Sequence, residues 1–461
     1  MAKNNTIFSK EPYIDLTTKV DGLYAYKEKR MWSFGNGIKK NGFLSFPDLS
    51  LELNIQGKNL EDFPKKFNYA AAKSDFSRIK LFDLNGYKRI PFYSKSDLYF
   101  TSMLAVVQNW SNKEIPVKIK NIECEIPGIH TFFNDNLLDF DGDSRSFKNK
   151  KNYYFDVELP PYGTLKMSTN FQVDFQYDRS FRAVHNDLIR IEFSNEQTYW
   201  SAVIMLKVVE EFFNFLFKEQ TNQIIFSSDL KGPRKKISPT LSIISLSSPA
   251  TFQLPERESA YSLLFEFEDI RDEIKKNMIK YWFNNYEEIR EIWESIKTCR
   301  SGNASDITKF LSLISSVESF HKRFLNPVTD KRKKEHKEWL KKVTAPLSED
   351  DAEKLKSMAA FGFEFSLRGK MKDIEAFCID AGAIGLDDEI IKKIVNTRNN
   401  YVHALKMSSN KLLTSVELFR VNIVLEIYMK ISLLSVLGID SAKLKEIIAK
   451  RGEFKTYFTT I

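Results

Sequence analysis

The spacing of apolar residues changes once along the chain, between about Pro255 and Ser259, and this change limits the possible folds more than any other feature. Before it, short runs such as "FLSFPDLSLELNIQG" alternate apolar and polar residues and are separated by turn residues, as expected of β-strands. After it, apolar residues recur with the 3.6-residue period of an α-helix. The sequence therefore predicts an α+β fold, with a β-rich domain at residues 1–258 and an all-α helical bundle at residues 259–461.

One long helix is predicted inside the β-rich domain, over "SNEQTYWSAVIMLKVVEEFFNFLFKEQ". Its apolar residues lie on one face, and Ser194 is its expected N-cap. In the bundle, "DITKFLSLISSVESFHKRFL" and "DDEIIKKIVNTRNNYVHALK" are amphipathic, and Asp387 is the expected N-cap of the second of these helices.

Composition restricts the class of protein only broadly. The chain has 461 residues, is 43% hydrophobic and carries a formal net charge of +8, which permits a polyanionic partner without requiring one. Its three cysteines form no C-x-x-C pair, so neither a disulfide framework nor a thiolate metal site is expected. The first residues lack the apolar core of a secretory signal, and charged residues interrupt the most apolar stretches. We therefore expect a cytoplasmic protein without a membrane partner.

The segment "NTRNNYVH" places three asparagines and an arginine inside a predicted helix, although asparagine disfavours helix interiors. The helical neighbours of Arg398 are Ile394, Val395, Tyr401 and Val402, which are residues typical of a core. A desolvated guanidinium requires an anion, so we expect Arg398 to meet either a carboxylate of its own fold or a phosphate.

A second, polar stripe runs beside the apolar one and consists of Lys392, Asn396, Asn399, Asn400 and His403. Arg398 and His403 are five residues apart, which places them about 140° apart around a helix. A long guanidinium and an imidazole could nevertheless converge on one phosphodiester, with the asparagines lining the groove. Histidine also changes charge near neutral pH, as a general acid or base must.

The pattern R-x-x-x-x-H, here "RNNYVH" with asparagine directly after the arginine, resembles the signature of HEPN ribonucleases. Together with "SSVESFHKRF" on a preceding helix, it resembles the HEPN domain of ApeA-type abortive-infection proteins. The segments "NGFLSFPDLSLELNIQG" and "RAVHNDLIRIEFSNEQTYWSAVIMLKVVEEFFNFL" are similar to the β-rich domain that precedes that HEPN domain. The resemblance implies an endoribonuclease that acts in antiphage defence.

The expected catalytic residues are Arg398 and His403, and Asn399 is expected either to contact phosphate or to orient His403. The alternative for Arg398 is a structural ion pair, with His403 and Asn399 as ordinary surface residues. Glu318 could pair with Arg398 and orient it, or lie on a solvated helix flank. His321 could support the site or be a packed histidine, and Asn400 is expected beside the catalytic pair.

Two basic clusters are candidate RNA contacts, and the alternative for each is a solvated helix face. They comprise Lys322, Arg323, Lys331, Arg332, Lys333 and Lys334. The second cluster opens "KRKKEHKEW", which combines cations with an aromatic residue as RNA-binding segments often do.

RNA carries its own nucleophile, the 2′-hydroxyl, so an arginine and a histidine could cleave it without a cation. We therefore expect no metal ion and no cofactor. The resemblance implies a substrate such as tRNA or another translation-related RNA. The resemblance implies a homodimer formed through the HEPN domain, and the defence setting implies a phage-derived trigger. The alternative function is a non-catalytic RNA- or protein-binding dimerisation module.

Overall fold

The computed structural model describes two compact units, residues 1–269 and 270–461. Within them it describes residues 30–34, 37–45, 51–55, 64, 66–73, 77–89, 97–102, 104–109, 115, 118–126, 138–141, 146–149, 153–175, 181–216, 225–229, 240–245, 270–300, 304–326, 329–360, 362–405 and 407–450. The predicted domain boundary at 258/259 lies outside the described residues and stays a prediction.

The first unit is dominated by β-structure. Its strands are β1 (Arg30–Phe34), β2 (Lys39–Ser45), β3 (Leu51–Ile55), β4 (Lys66–Lys73), β5 (Ser77–Arg89), β6 (Asp97–Ser102), β7 (Leu104–Asn109), β8 (Lys118–Glu125), β9 (Leu138–Asp141), β10 (Ser146–Asn149), β11 (Tyr153–Leu159), β12 (Gly163–Phe175), β13 (Phe181–Thr198), β14 (Ile225–Asp229) and β15 (Thr240–Ser245). One helix, α1 (Tyr199–Leu216), follows β13 directly.

Thirteen strands form one antiparallel sheet in the order β11-β12-β13-β8-β14-β15-β7-β5-β4-β1-β2-β3-β6, and β9 and β10 form a separate pair. Strand β6 also pairs with β5, so this end of the sheet closes on itself. The alternation predicted around β3 is confirmed, because Leu53 and Ile55 are buried while Asn54 between them is partly exposed.

Helix α1 packs against β8 and β13. Its predicted apolar face is confirmed, and the buried residues on it include Ala202, Leu206, Val209, Phe212 and Leu216.

The predicted N-cap of α1 at Ser194 is wrong, because that residue lies within strand β13. The strand continues to pair with β8 as far as Thr198, which faces Lys118. Thr198 Oγ1 instead accepts a hydrogen bond of 3.2 Å from the backbone N–H of Ser201 at the start of the helix. Strand pairing therefore delays the helix beyond the first residue that could cap it.

In the second unit, helices are the only regular secondary structure among the described residues. Its helices are α2 (Asp272–Asn284), α3 (Tyr286–Arg300), α4 (Asp306–Phe320), α5 (Asp330–Thr344), α6 (Glu349–Met358), α7 (Leu367–Asp380), α8 (Asp388–His403), α9 (Ser415–Val436) and α10 (Ser441–Lys450), with a π-helical turn at His321–Leu325 and a 3₁₀ turn at Ser409–Lys411. The α+β fold class predicted from the sequence is confirmed.

Helix α9 is the centre of the bundle and packs against α3, α4 and α7. Buried residues lie all around it, so its burial is not confined to one amphipathic face. Asp387 caps α8, as predicted, by accepting a 2.8 Å hydrogen bond from the Glu389 backbone N–H. Among the described helices, none is long and apolar enough to cross a membrane.

Candidate active site

The end of helix α8 brings the two predicted catalytic side chains into contact. Arg398 Nη1 lies 3.1 Å from His403 Nε2. A guanidinium can only donate hydrogen bonds, so Nε2 accepts and a neutral His403 ring carries its proton on Nδ1. Helix α8 ends immediately after His403, because Ala404 adopts the left-handed conformation with φ of 49°. The long Arg398 side chain therefore reaches an imidazole at an open helix end.

Glu318 on α4 holds the other side of the guanidinium. Its Oε2 lies 3.4 Å from Arg398 Nη2, and its Oε1 lies 3.9 Å from Lys370 Nζ on α7. The Lys370 side chain is 9% exposed, whereas the Arg398 side chain is 24% exposed. One carboxylate is thus shared between two cations, which leaves the more exposed cation, Arg398, with donors available for a further anion.

Sequence reasoning missed Lys370, although a signal was present. Lys370, Ile374 and Cys378 recur every four residues on α7, and all three are buried. A lysine on a buried stripe requires an anionic partner for the same reason as Arg398 does.

Helix α8 tolerates its asparagines because each of their side chains bonds to a specific group. Asn399 Oδ1 accepts from Arg398 Nη1 at 3.3 Å. Asn396 Nδ2 donates to the Lys411 carbonyl at 3.2 Å, and Asn400 Oδ1 accepts from the Met407 N–H at 3.4 Å. Buried Thr397 accepts from the Leu413 N–H at 2.9 Å. Asn396, Thr397 and Asn400 thus hold the segment that follows α8 against the helix.

The predicted apolar face around Arg398 is only partly correct. Ile394 is fully buried, but Tyr401 and Val402 are 55% and 51% exposed, and Leu405 is 45% exposed. The core therefore ends before the last helical turn, and the described residues after Ala404 bond to Asn396, Thr397 and Asn400 without covering Tyr401 and Val402. Arg398 is therefore at the edge of the core, and its side chain is partly exposed.

His321 is not brought into contact with Arg398 or His403. It is 1% exposed, its Nε2 lies 2.8 Å from Asp373 Oδ2, and its ring packs edge-on against Phe365. Of the two alternatives left by the sequence, this geometry is that of a packed histidine. The π-helical turn that begins at His321 continues α4 directly beyond Phe320.

The basic residues differ in what they contact. Arg323 donates 2.7 Å hydrogen bonds to Glu291 and to the Glu288 carbonyl on α3. Arg332 donates to the Phe363 carbonyl at 2.6 Å and lies over the Phe365 ring.

The lysines of the two clusters are more exposed. Lys322 lies 3.5 Å from Glu364, and Lys331 lies 3.9 Å from Glu335. Lys333 and Lys334 are exposed on α5. Arg323 and Arg332 thus bond to other segments of the bundle, whereas the lysines lie at its surface.

Comparison with known proteins identifies the domain that carries this site. Residues 311–443 match the family model of the Apea-like HEPN domain, and this segment contains Glu318, Lys370, Arg398 and His403. No curated protein and no solved structure matches the chain. The helical unit therefore contains an Apea-like HEPN domain, as the resemblance had indicated.

Proposed function

We propose that the chain is a metal-independent endoribonuclease of the HEPN type that acts in antiphage abortive-infection defence. The HEPN family is generally related to ribonucleases, which supports the reaction class. The observation that carries the proposal is the 3.1 Å contact between Arg398 and His403 at an open helix end. Both groups recur in phosphodiester chemistry, one as a charge stabiliser and the other as a proton carrier.

In the proposed reaction, the 2′-hydroxyl of the substrate attacks the adjacent phosphorus and the bond from phosphorus to the 5′-oxygen breaks. The products are a 2′,3′-cyclic phosphate and a 5′-hydroxyl. The Nε2 lone pair of neutral His403 can accept the proton of the 2′-hydroxyl, in which case the leaving 5′-oxygen takes a proton from water. Alternatively, the protonated ring donates a proton to the 5′-oxygen and the 2′-hydroxyl proton passes to water. Arg398 stabilises the charge that develops on the non-bridging oxygens, and Asn399 holds its guanidinium.

Glu318 is a positioning residue in this proposal, because it contacts Arg398 and not the substrate. A guanidinium held by Glu318 and Asn399 loses less conformational freedom when it binds phosphate. Sharing Glu318 with Lys370 limits how strongly the carboxylate neutralises Arg398. The remaining positive charge is then available to RNA.

HEPN domains commonly dimerise and act on RNA, and we propose that this one forms a homodimer. Exposed apolar residues beside the site support a self-association surface, namely Tyr401, Val402 and Leu405 after Arg398 and Val416 and Phe419 at the start of α9. Two such surfaces meeting would bring two copies of Arg398 and His403 to one groove. The substrate would be tRNA or another translation-related RNA, and a phage-derived component would trigger cleavage.

A second candidate is a non-catalytic binding module in which Arg398 serves only as a structural ion pair. The 3.4 Å contact with Glu318 favours it, because that contact would exist without any substrate. The two functions differ in what the loss of His403 does, since His403 contributes nothing to the Glu318 contact.

The deciding experiment incubates purified chain with total cellular RNA in EDTA and compares wild type with His403→Ala. We expect cleavage by wild type only, with 2′,3′-cyclic phosphate and 5′-hydroxyl ends identified by end-specific enzymatic labelling. A requirement for Mg²⁺ in the chemical step would contradict the proposed mechanism. No cleavage by either protein would favour the binding module, and equal cleavage by both would contradict the proposed role of His403.

A further inference from the structure

Helices α5 and α6 form a hairpin that has almost no core of its own. Among the described side chains of these two helices, only Thr344 is buried. Each helix packs mainly against the other. Hydrophobic burial therefore stabilises this hairpin far less than it stabilises α9, and its exposed surface is large for its length.

The exposed surface of α5 is strongly basic. The helix contains seven Lys or Arg residues against three Asp or Glu residues. Lys333, Lys337 and Lys341 are all exposed and recur every four residues, so they form a stripe in which neighbouring lysines are about 6 Å apart along the helix axis. Like charges at this spacing destabilise an isolated helix, and a chain of phosphates would relieve their repulsion.

The same helix carries an aromatic platform at a cleft of about 470 Å³. Trp339 is 49% exposed, and its indole stacks on the His336 ring with 5.5 Å between ring centroids. His336 Nε2 donates a 2.8 Å hydrogen bond to the Ala359 carbonyl. A Cβ at Gly362 would lie only 2.6 Å from His336 Cε1, so glycine allows the ring to pack directly on the backbone. The ring that supports Trp339 is therefore fixed in place.

Other contacts hold the rest of the cleft. Phe363 packs edge-on against His336, and Arg332 is bound to the Phe363 carbonyl. Trp339 thus has one face on a rigid support and remains half exposed beside a cleft. A held aromatic ring of this kind can stack an unpaired base at little cost in conformational entropy.

We propose that the α5–α6 hairpin is an RNA-docking element, in which the Lys333, Lys337 and Lys341 stripe follows phosphates and Trp339 stacks an unpaired base. Positive charge selects a polyanion, and the supported indole selects one with exposed planar bases, which favours single-stranded RNA over a protein partner. The inference takes its ligand class from the proposed ribonuclease function. It assigns binding to a surface distinct from the Arg398 and His403 pair.

The experiment measures binding without cleavage, using the full chain with His403→Ala. Fluorescence anisotropy with a labelled oligouridylate is recorded over a series of KCl concentrations. Trp339→Ala is compared with Met358→Ala, which removes another exposed apolar side chain from the same hairpin. The triple variant Lys333→Gln, Lys337→Gln and Lys341→Gln is compared with Lys276→Gln, Lys280→Gln and Arg290→Gln, which remove the same charge from exposed positions on α2 and α3.

We expect Trp339→Ala to weaken binding by about 5- to 150-fold, the range for losing one aromatic–base stack, and Trp339→Phe to restore most of it. The lysine triple variant should lower the slope of log affinity against log salt by about 2, at about 0.7 per phosphate contact. Both controls should bind as the parent does. If either test variant binds like its control, or if the parent does not bind oligouridylate, the docking element is refuted.

Cleavage assays with an intact His403 separate this inference from the proposed function. A chain that binds through Trp339 but never cleaves RNA would retain the docking element and refute the ribonuclease. A chain that cleaves RNA while the hairpin variants change neither binding nor cleavage would support the ribonuclease and refute the docking element.

Discussion

The Glu318 carboxylate lies 3.4 Å from the Arg398 guanidinium, although the two residues are 80 positions apart in the chain. Helix α4 supplies the carboxylate and helix α8 supplies the guanidinium, so the contact exists only when the bundle is folded. The proposed active site is therefore positioned by helix packing, and this relationship makes the role of each side chain testable.

Replacing Glu318 by Gln should reduce kcat by about 10-fold with little change in KM, because an amide still accepts a hydrogen bond but no longer carries the charge that orients Arg398. Steady-state cleavage of a defined RNA measures both constants. Glu364→Gln is the matched control, since Glu364 contacts the exposed Lys322 and should leave both constants unchanged. A Glu318→Gln enzyme as fast as wild type would remove Glu318 from the mechanism.

Loss of either Arg398 or His403 to Ala should reduce cleavage by at least about 100-fold, the scale for removing one charge-stabilising or acid–base group. Arg398→Lys should also fail to restore full activity, because an ammonium lacks the planar fork of the guanidinium. Arg368→Ala is the control, as that exposed arginine pairs with Asp388 on the surface. Circular dichroism should show that the helical content persists; an unfolded Arg398→Ala bundle would instead favour the structural ion pair.

Activity should require a dimer whose two chains build one RNA groove. Mixed dimers of one wild-type chain and one Arg398→Ala/His403→Ala chain should retain well under half of the wild-type rate when purified through two different tags. A mixed dimer that retains half or more of the wild-type rate would mean that each chain cleaves alone. Tyr401→Lys should shift the protein to monomer in sedimentation, because Tyr401 lies on the exposed apolar surface beside the site, whereas Met358→Lys on the hairpin should not.

Stability should depend on pH through Glu417, which links α8 to the start of α9. A 2.7 Å hydrogen bond from Lys393, followed by the Thr414 backbone N–H, lowers the pKa of the Glu417 carboxyl below its usual value of 4.5. Because the folded-state pKa is the lower one, this stabilisation is present above the unfolded value and is lost as pH falls through the folded value.

Urea unfolding of wild type and Glu417→Gln should therefore differ by at most about 1 kcal/mol at neutral pH, the upper value for a partly exposed ion pair, and converge in acid. Glu446→Gln is the control, because Glu446 pairs with Lys443 on the surface. This substitution should change the free energy of unfolding little at either pH. A difference that persists below the lowered pKa would show that packing, and not charge, accounts for the loss.

The sequence by itself determined the two kinds of secondary structure, the α+β class and the pair Arg398 and His403. These features depend on local information, because strand and helix periods and a five-residue spacing are set by backbone geometry alone. The Apea-like HEPN match at residues 311–443 agrees with that part of the interpretation. Position within one helix was enough to suggest that Arg398 required an anion.

Tertiary structure decided which anion and which cations meet, because these contacts join helices that are distant in sequence. Glu318 is shared by Arg398 and Lys370, whereas Arg323 and Arg332 are engaged by Glu291 and by the Phe363 carbonyl.

Tertiary contacts also determined where a helix begins and which of its residues are buried. Strand pairing places the start of α1 at Tyr199, beyond the predicted N-cap Ser194, and Tyr401 in the last turn of α8 is exposed. A helical stripe specifies which residues share a face, but only the neighbouring elements determine whether that face is covered, since burial depends on atoms supplied from elsewhere in the chain.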